Sequence, residues 1–116
     1  MVVRRQPGAT ASERVRALMA ARADHFRARL AAVPRPEPAA GGPTEPAWGD
    51  WLPIVTGDGL ALDGDAALIQ RRDFGDGRIW GSSSVSLLAL GPELLRYDFA
   101  TAPVPADGSG WRRMEV

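Results

Sequence analysis

Hydroxyl groups are the first chemistry this sequence offers: Ser82, Ser83, Ser84 and Ser86 stand close together in one segment. A serine becomes a nucleophile only beside a base that a third group holds in place. The single histidine, His25, lies far upstream beside Phe26 in a helical stretch, where it reads as a helix-flank residue. Nothing resembles the Gly-x-Ser-x-Gly elbow, in which a strained strand-to-helix turn exposes the serine. No residue is therefore assigned a catalytic role. With no cysteine there is no thiolate, no disulfide and no thiolate metal ligand, and one histidine cannot complete a zinc site. The carboxylate pairs Asp63/Asp65 and Asp73/Asp76 fall in turn-like stretches without an apolar pocket to raise a pKa. Asp63-Gly64-Asp65 lacks the twelve-residue spacing and terminal Glu of a calcium loop, and Gly75-Asp76-Gly77 lacks the lysine and helix of a phosphate loop. No metal and no cofactor are expected.

What remains is Trp80-Gly81-Ser82-Ser83-Ser84-Val85-Ser86-Leu87-Leu88-Ala89-Leu90. Serine is not a favoured strand residue, so a serine cluster ahead of an apolar run is unusual. Small residues at the start of a strand let another backbone or a ligand come close. Gly81, Ser82, Ser84 and Ser86 are the candidate lining of a ligand cleft; the competing reading is a strand end with turn-forming serines. The run Leu87–Leu90 suggests a strand buried on both faces.

The elements that must position this segment can be read on either side of it. Residues 1–9 form a lead-in. Thr10-Ala11-Ser12-Glu13 is a capping box, and Val15, Leu18, Met19, Phe26, Leu30 and Val33 follow at helical spacing, predicting an amphipathic helix over 10–33. Pro34 ends it. Residues 34–46 hold five prolines and two glycines and form a linker too polar and proline-rich to enter a core. Over 47–116, Trp48, Trp51 and Leu52 share one side of a short helical turn that packs the linker down. Strands are expected over Ala66–Asp73, Arg78–Leu90 and Leu94–Ala100, with Asp76-Gly77 as a hairpin signal. In the last of these, Leu95, Tyr97 and Phe99 fall on one side and Arg96 and Asp98 on the other. Trp111–Val116 can add an edge strand. The fold class is α+β: an antiparallel β-meander packed by an N-terminal helix. One helix is a thin cover for such a sheet.

Length and charge bound the rest. The 116 residues allow one domain, or part of one. Charge is zero overall but uneven: residues 1–36 hold eight arginines against Glu13 and Asp24. No aromatics interleave with those arginines, so they read as a solvated helix face and no nucleic-acid partner is expected. No run of about 18 apolar residues is present, so no membrane partner is expected. Met1–Pro7 lacks the apolar core of a secretory signal, and together with the missing cysteines this predicts a cytoplasmic location.

The Trp80–Leu90 segment resembles a motif of the NRDE (Asn-Arg-Asp-Glu) family, which includes the transport-and-Golgi-organisation proteins. That motif is a Gly-Thr-x-Ser-Ser-Thr-type stretch, preceded by Tyr or Phe and followed by Val/Leu-Leu-x-Leu. Ser82 stands at its Thr, Ser84 at its first Ser and Ser86 at its final hydroxyl, while Val85 departs from its second Ser. The helix ending in a Pro-rich link, the Trp48/Trp51 turn and the aromatic strand Leu94–Phe99 are similar to the family's surroundings. The resemblance implies half of an Ntn-hydrolase-type αββα sandwich. The family's nucleophilic first cysteine and its Asn-Arg-Asp-Glu motif are both missing here. It therefore implies a C-terminal portion without activity of its own, completed by a missing N-terminal half or a separately encoded partner. In the complete protein the implied chemistry is amide or C–N hydrolysis. Two alternatives stand beside it: a stand-alone protein-interaction module, and small-molecule or haem binding by family analogy.

Overall fold

The computed structural model describes residues 10–105 and 107–115; the expected lead-in at 1–9 lies outside the described residues. Helix α1 (Ala11–Ala31) starts with both bonds of the capping box. The Glu13 amide donates to Thr10 Oγ1 at 3.1 Å, and the Thr10 amide donates to Glu13 Oε1 at 3.0 Å. Its last turn closes on the Ala32 amide, two residues before Pro34. Only Phe26 is buried, and Leu18, Ala21, Arg22, His25 and Leu30 are half-buried along one stripe. Val15 and Met19, expected on that stripe, are 54% and 58% exposed. The reason is where α1 is fastened. Arg22 Nε donates to the Ala67 carbonyl at 3.0 Å, and His25 and Arg29 reach Asp58. Those anchors lie from the middle of the helix onward, and its first turns extend past the body they grip.

Two short helices follow, α2 (Thr44–Trp48) and α3 (Trp51–Val55), in place of the single turn expected. They are separated by Gly49, whose φ of 53° suits a residue without Cβ. Trp48 and Leu52 are buried while Trp51 is half-buried. Trp48, Leu52 and Val55 pack with Leu87 into one core cluster, and Ile69, Ala100 and Val104 form a second.

The strands form two sheets. β1 (Arg71–Asp73) pairs with β2 (Ile79–Gly81) as a small hairpin, and β3 (Ser84–Gly91), β4 (Leu94–Thr101) and β5 (Trp111–Met114) form an antiparallel meander. The expected strand Arg78–Leu90 is thus broken at Ser82–Ser83, where the chain leaves one sheet for the other. The expected strand Ala66–Asp73 shrinks to its last residues. Ala67, Ile69 and Gln70 are buried, and this stretch is held by packing, by single backbone bonds such as Ser82 N–H to the Gln70 carbonyl, and by side-chain bonds rather than by a continuous ladder.

Register sorts the larger sheet into two unlike faces. Val85, Leu87 and Ala89 lie opposite Ala100, Asp98 and Arg96 on the covered face. Ser84, Ser86, Leu88 and Leu90 lie opposite Thr101, Phe99, Tyr97 and Leu95 on the other. There Leu88, Leu90 and Leu95 are 56%, 75% and 48% exposed. Leu87–Leu90 is therefore buried on one face only, because α2, α3 and residues 67–69 all pack on the same side. On β4 the charged residues, not the aromatic ones, point into the core. No helix among the described residues is long and apolar enough to cross a membrane.

Candidate functional site

Gly81 sits where two backbones nearly touch. A Cβ added to it would lie 2.7 Å from the Gln70 carbonyl oxygen, closer than any side chain tolerates. The next residue bonds the same neighbour twice. Ser82 N–H donates to the Gln70 carbonyl at 2.9 Å, and Ser82 Oγ accepts the Gln70 amide at 3.0 Å. Ser82 Oγ also lies 3.4 Å from the Leu68 carbonyl. The hydroxyl thus replaces one rung of a ladder just where the strand changes sheet. Gly81 and Ser82 edge a cavity of about 310 Å³ that Ile69, Gln70, Ala102 and Pro103 also line.

The other two candidates lie elsewhere. Ser84 and Ser86 belong to the uncovered face of β3, with Thr101 opposite Ser84 and Phe99 opposite Ser86. Ser86 Oγ and Tyr97 Oη are 3.2 Å apart. The four residues therefore split between a cavity rim and an open sheet face. Among the described residues no base reaches either group: the one histidine, His25, has its Nε2 2.8 Å from Asp58 Oδ2. The hydroxyls can donate and accept hydrogen bonds to a ligand, and nothing beside them would turn one into a nucleophile.

The most organised chemistry in the molecule is the pair Arg96 and Asp98, both fully buried. Arg96 Nε and Nη2 donate to Asp98 at 2.6 and 3.1 Å. Its other bonds go to the carbonyls of Ala39 and Gly41 from Nη1 and of Gly42 from Nη2. Asp98 also accepts from Thr44 Oγ1 at 2.6 Å and Trp48 Nε1 at 2.7 Å. Burial pushes the Asp98 carboxyl upward, but the bonds from Arg96, Thr44 and Trp48 outweigh it and hold the group below the usual carboxylate range. Every guanidinium donor and both carboxylate oxygens are engaged, so the pair holds structure and has no capacity left for a ligand. Residues 39–42 of the linker are themselves exposed, and only the carbonyls of Ala39, Gly41 and Gly42 reach the buried guanidinium. Alternation puts Arg96 and Asp98 on one side of β4, and the sequence signal that bears on this side is a pair of opposite charges two residues apart, alternating with Tyr97 and Phe99.

A second junction fixes α1. Asp58, at φ 55° in the loop after α3, accepts from Arg29 Nε at 2.9 Å and Nη2 at 3.1 Å, beside its contact with His25. The Arg29 hydrogen bond is the main cause that holds the Asp58 carboxyl below its ordinary value, against an opposing effect of burial. The Asp63–Gly64 turn is also occupied: Arg72 donates to both its carbonyls at 2.9 and 3.0 Å. Among the described residues no group of His, Asp or Glu is placed to hold a metal ion.

Comparison with protein-family models, with curated proteins and with solved structures found no match to this chain.

Proposed function

We propose that this chain is the C-terminal portion of an NRDE-family, Ntn-hydrolase-like protein of the cytoplasm, and that it performs no catalysis alone. The observation that carries the proposal is the bare face of the β3–β4–β5 sheet, where Leu88, Leu90 and Leu95 stand in solvent. A sheet with one helical layer beneath and an apolar face above is half of a sandwich, and burying the second face calls for another layer. The Gly81–Ser86 stretch borders that face, so Ser84 and Ser86 would line a cleft closed by the second half, and Gly81 and Ser82 would shape its floor. The motif across Trp80–Leu90 is what suggests the family.

The upstream DNA tests this directly. An adjoining frame that encodes Met-Cys and an Asn-Arg-Asp-Glu stretch is the expected result; a terminator and promoter immediately upstream would sink the proposal.

A stand-alone interaction module is the second reading, favoured by the exposed Val15 and Met19 on α1 as well as by the open sheet face. It requires an isolated chain that is monodisperse and melts cooperatively; a molten or aggregating one would count against it. Haem binding is the least supported, since Asp58 already engages the only histidine. Titration with haemin is expected to leave the Soret band unshifted.

A further inference from the structure

Four aspartates in this chain are followed directly by glycine: Asp58, Asp63, Asp76 and Asp107. Such a pair carries a latent reaction, attack of the glycine amide nitrogen on the aspartate Cγ, because glycine has no side chain to hinder the approach. The reaction needs a nitrogen free to give up its proton and a carboxyl free to be attacked. Three of the pairs fail one requirement or both. The Asp58 side chain is 13% exposed, and Arg29 and His25 occupy both its oxygens. Gly64 N–H is donated to the Ala61 carbonyl at 3.0 Å, and Arg72 clamps the carbonyls of Asp63 and Gly64. Gly108 N–H donates to the Pro105 carbonyl at 3.3 Å, and bonds from the Ser109 hydroxyl and amide hold the Asp107 carboxyl below its ordinary value. An ionised carboxylate is the poorer electrophile, since its oxygen must be protonated before it can leave as water.

Asp76–Gly77 meets both requirements. It sits in the loop of the β1–β2 hairpin, which the Phe74 amide closes on the Arg78 carbonyl at 3.0 Å. No described hydrogen bond takes the Gly77 amide, and a Cβ on Gly77 would meet nothing within 4 Å. The Asp76 side chain is 51% exposed. Its Oδ1 accepts the Arg78 amide at 3.1 Å, the Asx-turn bond that folds a side chain back along the peptide following it. That peptide contains the Gly77 nitrogen. Arg78 Nε donates to Oδ2 at 2.7 Å and draws electron density from Cγ.

We propose that Asp76–Gly77 is a self-modification site, where the chain ages into a β-aspartyl linkage of the kind a protein-isoaspartate methyltransferase recognises. The Gly77 nitrogen attacks Asp76 Cγ, its proton and the carboxyl hydroxyl leave as one water, and a five-membered succinimide closes. Water then adds to the ring. Opening at the side-chain carbonyl restores aspartate. Opening at the main-chain carbonyl breaks the original peptide bond, leaves the chain running through Cγ and frees an α-carboxylate. One water leaves and one returns, so no other reactant is needed. The product has an extra methylene in the loop and a displaced carboxylate, so the Asp76 bonds to Arg78 are lost and the hairpin loosens.

The test is to age the full chain in warm neutral buffer, cleave it after arginine, and label the fragments with that methyltransferase and isotopic S-adenosylmethionine. Residues 73–78 are released as one fragment that contains this Asp-Gly pair and none of the other three. Label should rise with ageing time, most of it in that fragment, and a succinimide one water lighter should appear there first. A chain aged unfolded in urea should label all four sites to similar extents, because the preference belongs to the fold. Asp76→Glu keeps the carboxylate but would require a six-membered ring. It should remove most of the label and leave the melting temperature unchanged. Label spread evenly over the folded chain's fragments, label centred on Asp58, Asp63 or Asp107, no label at all, the same preference in the unfolded chain, or label that survives Asp76→Glu would each overturn the proposal.

Discussion

Gly81 and Ser82 sit two and one residues from the point where the chain changes sheet, and each does something its neighbours cannot. Alanine at 81 would force its Cβ against the Gln70 carbonyl 2.7 Å away, an obstacle of rigid backbone. Gly81→Ala is expected to lower stability by about 1–3 kcal/mol in urea unfolding, the range for overpacking a tight contact. Ser82→Ala strands the amide of the buried Gln70 without its acceptor, which should cost about 1–3 kcal/mol. Ser84→Ala is the control. Its side chain is exposed on the open face, and the midpoint should move by no more than about 0.5 kcal/mol. Equal effects at 82 and 84 would mean that the hydroxyl of Ser82 is not holding the crossover.

At the scale of elements, β4 carries the most consequential pattern. Arg96 and Asp98 turn their charges inward, and in doing so tie linker, α2 and sheet into one unit. Breaking one side of a fully buried pair is severe because the survivor keeps its charge without a partner. Asp98→Leu and Arg96→Met should each destabilise by about 3–5 kcal/mol. The double replacement Arg96→Met with Asp98→Leu should cost clearly less than their sum, and a thermodynamic cycle of unfolding energies measures the difference. Simple additivity would show that the two groups act separately. Between α1 and the loop after α3, Asp58 plays a smaller version of the same part in a wetter setting.

For the whole molecule these two carboxylates contribute to the response to acid. Both Asp98 and Asp58 have folded-state pKa values below their ordinary value. Their contribution is complete above the unfolded carboxylate pKa of about 3.9 and is lost as pH falls through the lower folded values. Melting temperature should therefore fall on acidification below about pH 4, and Asp98→Asn should flatten that fall while lowering the neutral-pH plateau. An unchanged acid slope in that variant would count against the Arg96–Asp98 assignment. The open sheet face gives a second whole-molecule expectation. Leu95→Thr replaces a half-exposed leucine on the central strand, and it should reduce binding of a hydrophobic dye with little change in melting temperature. A large loss of stability would mean that this face is already packed within the chain.

The local signals in the sequence were sufficient wherever the interaction was itself local. The capping box at Thr10 and Glu13, the stop at Pro34, the Asp76-Gly77 hairpin and the alternation of Leu95, Tyr97 and Phe99 against Arg96 and Asp98 depend on residues a few positions apart. The α+β class with an N-terminal helix and antiparallel strands follows from the same short-range periods. Tertiary structure decided which side of each element faces in. Period-2 alternation cannot say which face is covered, and here the deciding fact is that linker carbonyls 39, 41 and 42 lie where a guanidinium can reach them, more than fifty residues along the chain. It also decided where the serine segment breaks, since the rung that ends β2 is a bond from Ser82 back to Gln70. The four candidate residues looked like one site because they are neighbours in sequence. A strand sends successive side chains to opposite faces, and the crossover at Ser82–Ser83 then parts Gly81 and Ser82 from Ser84 and Ser86.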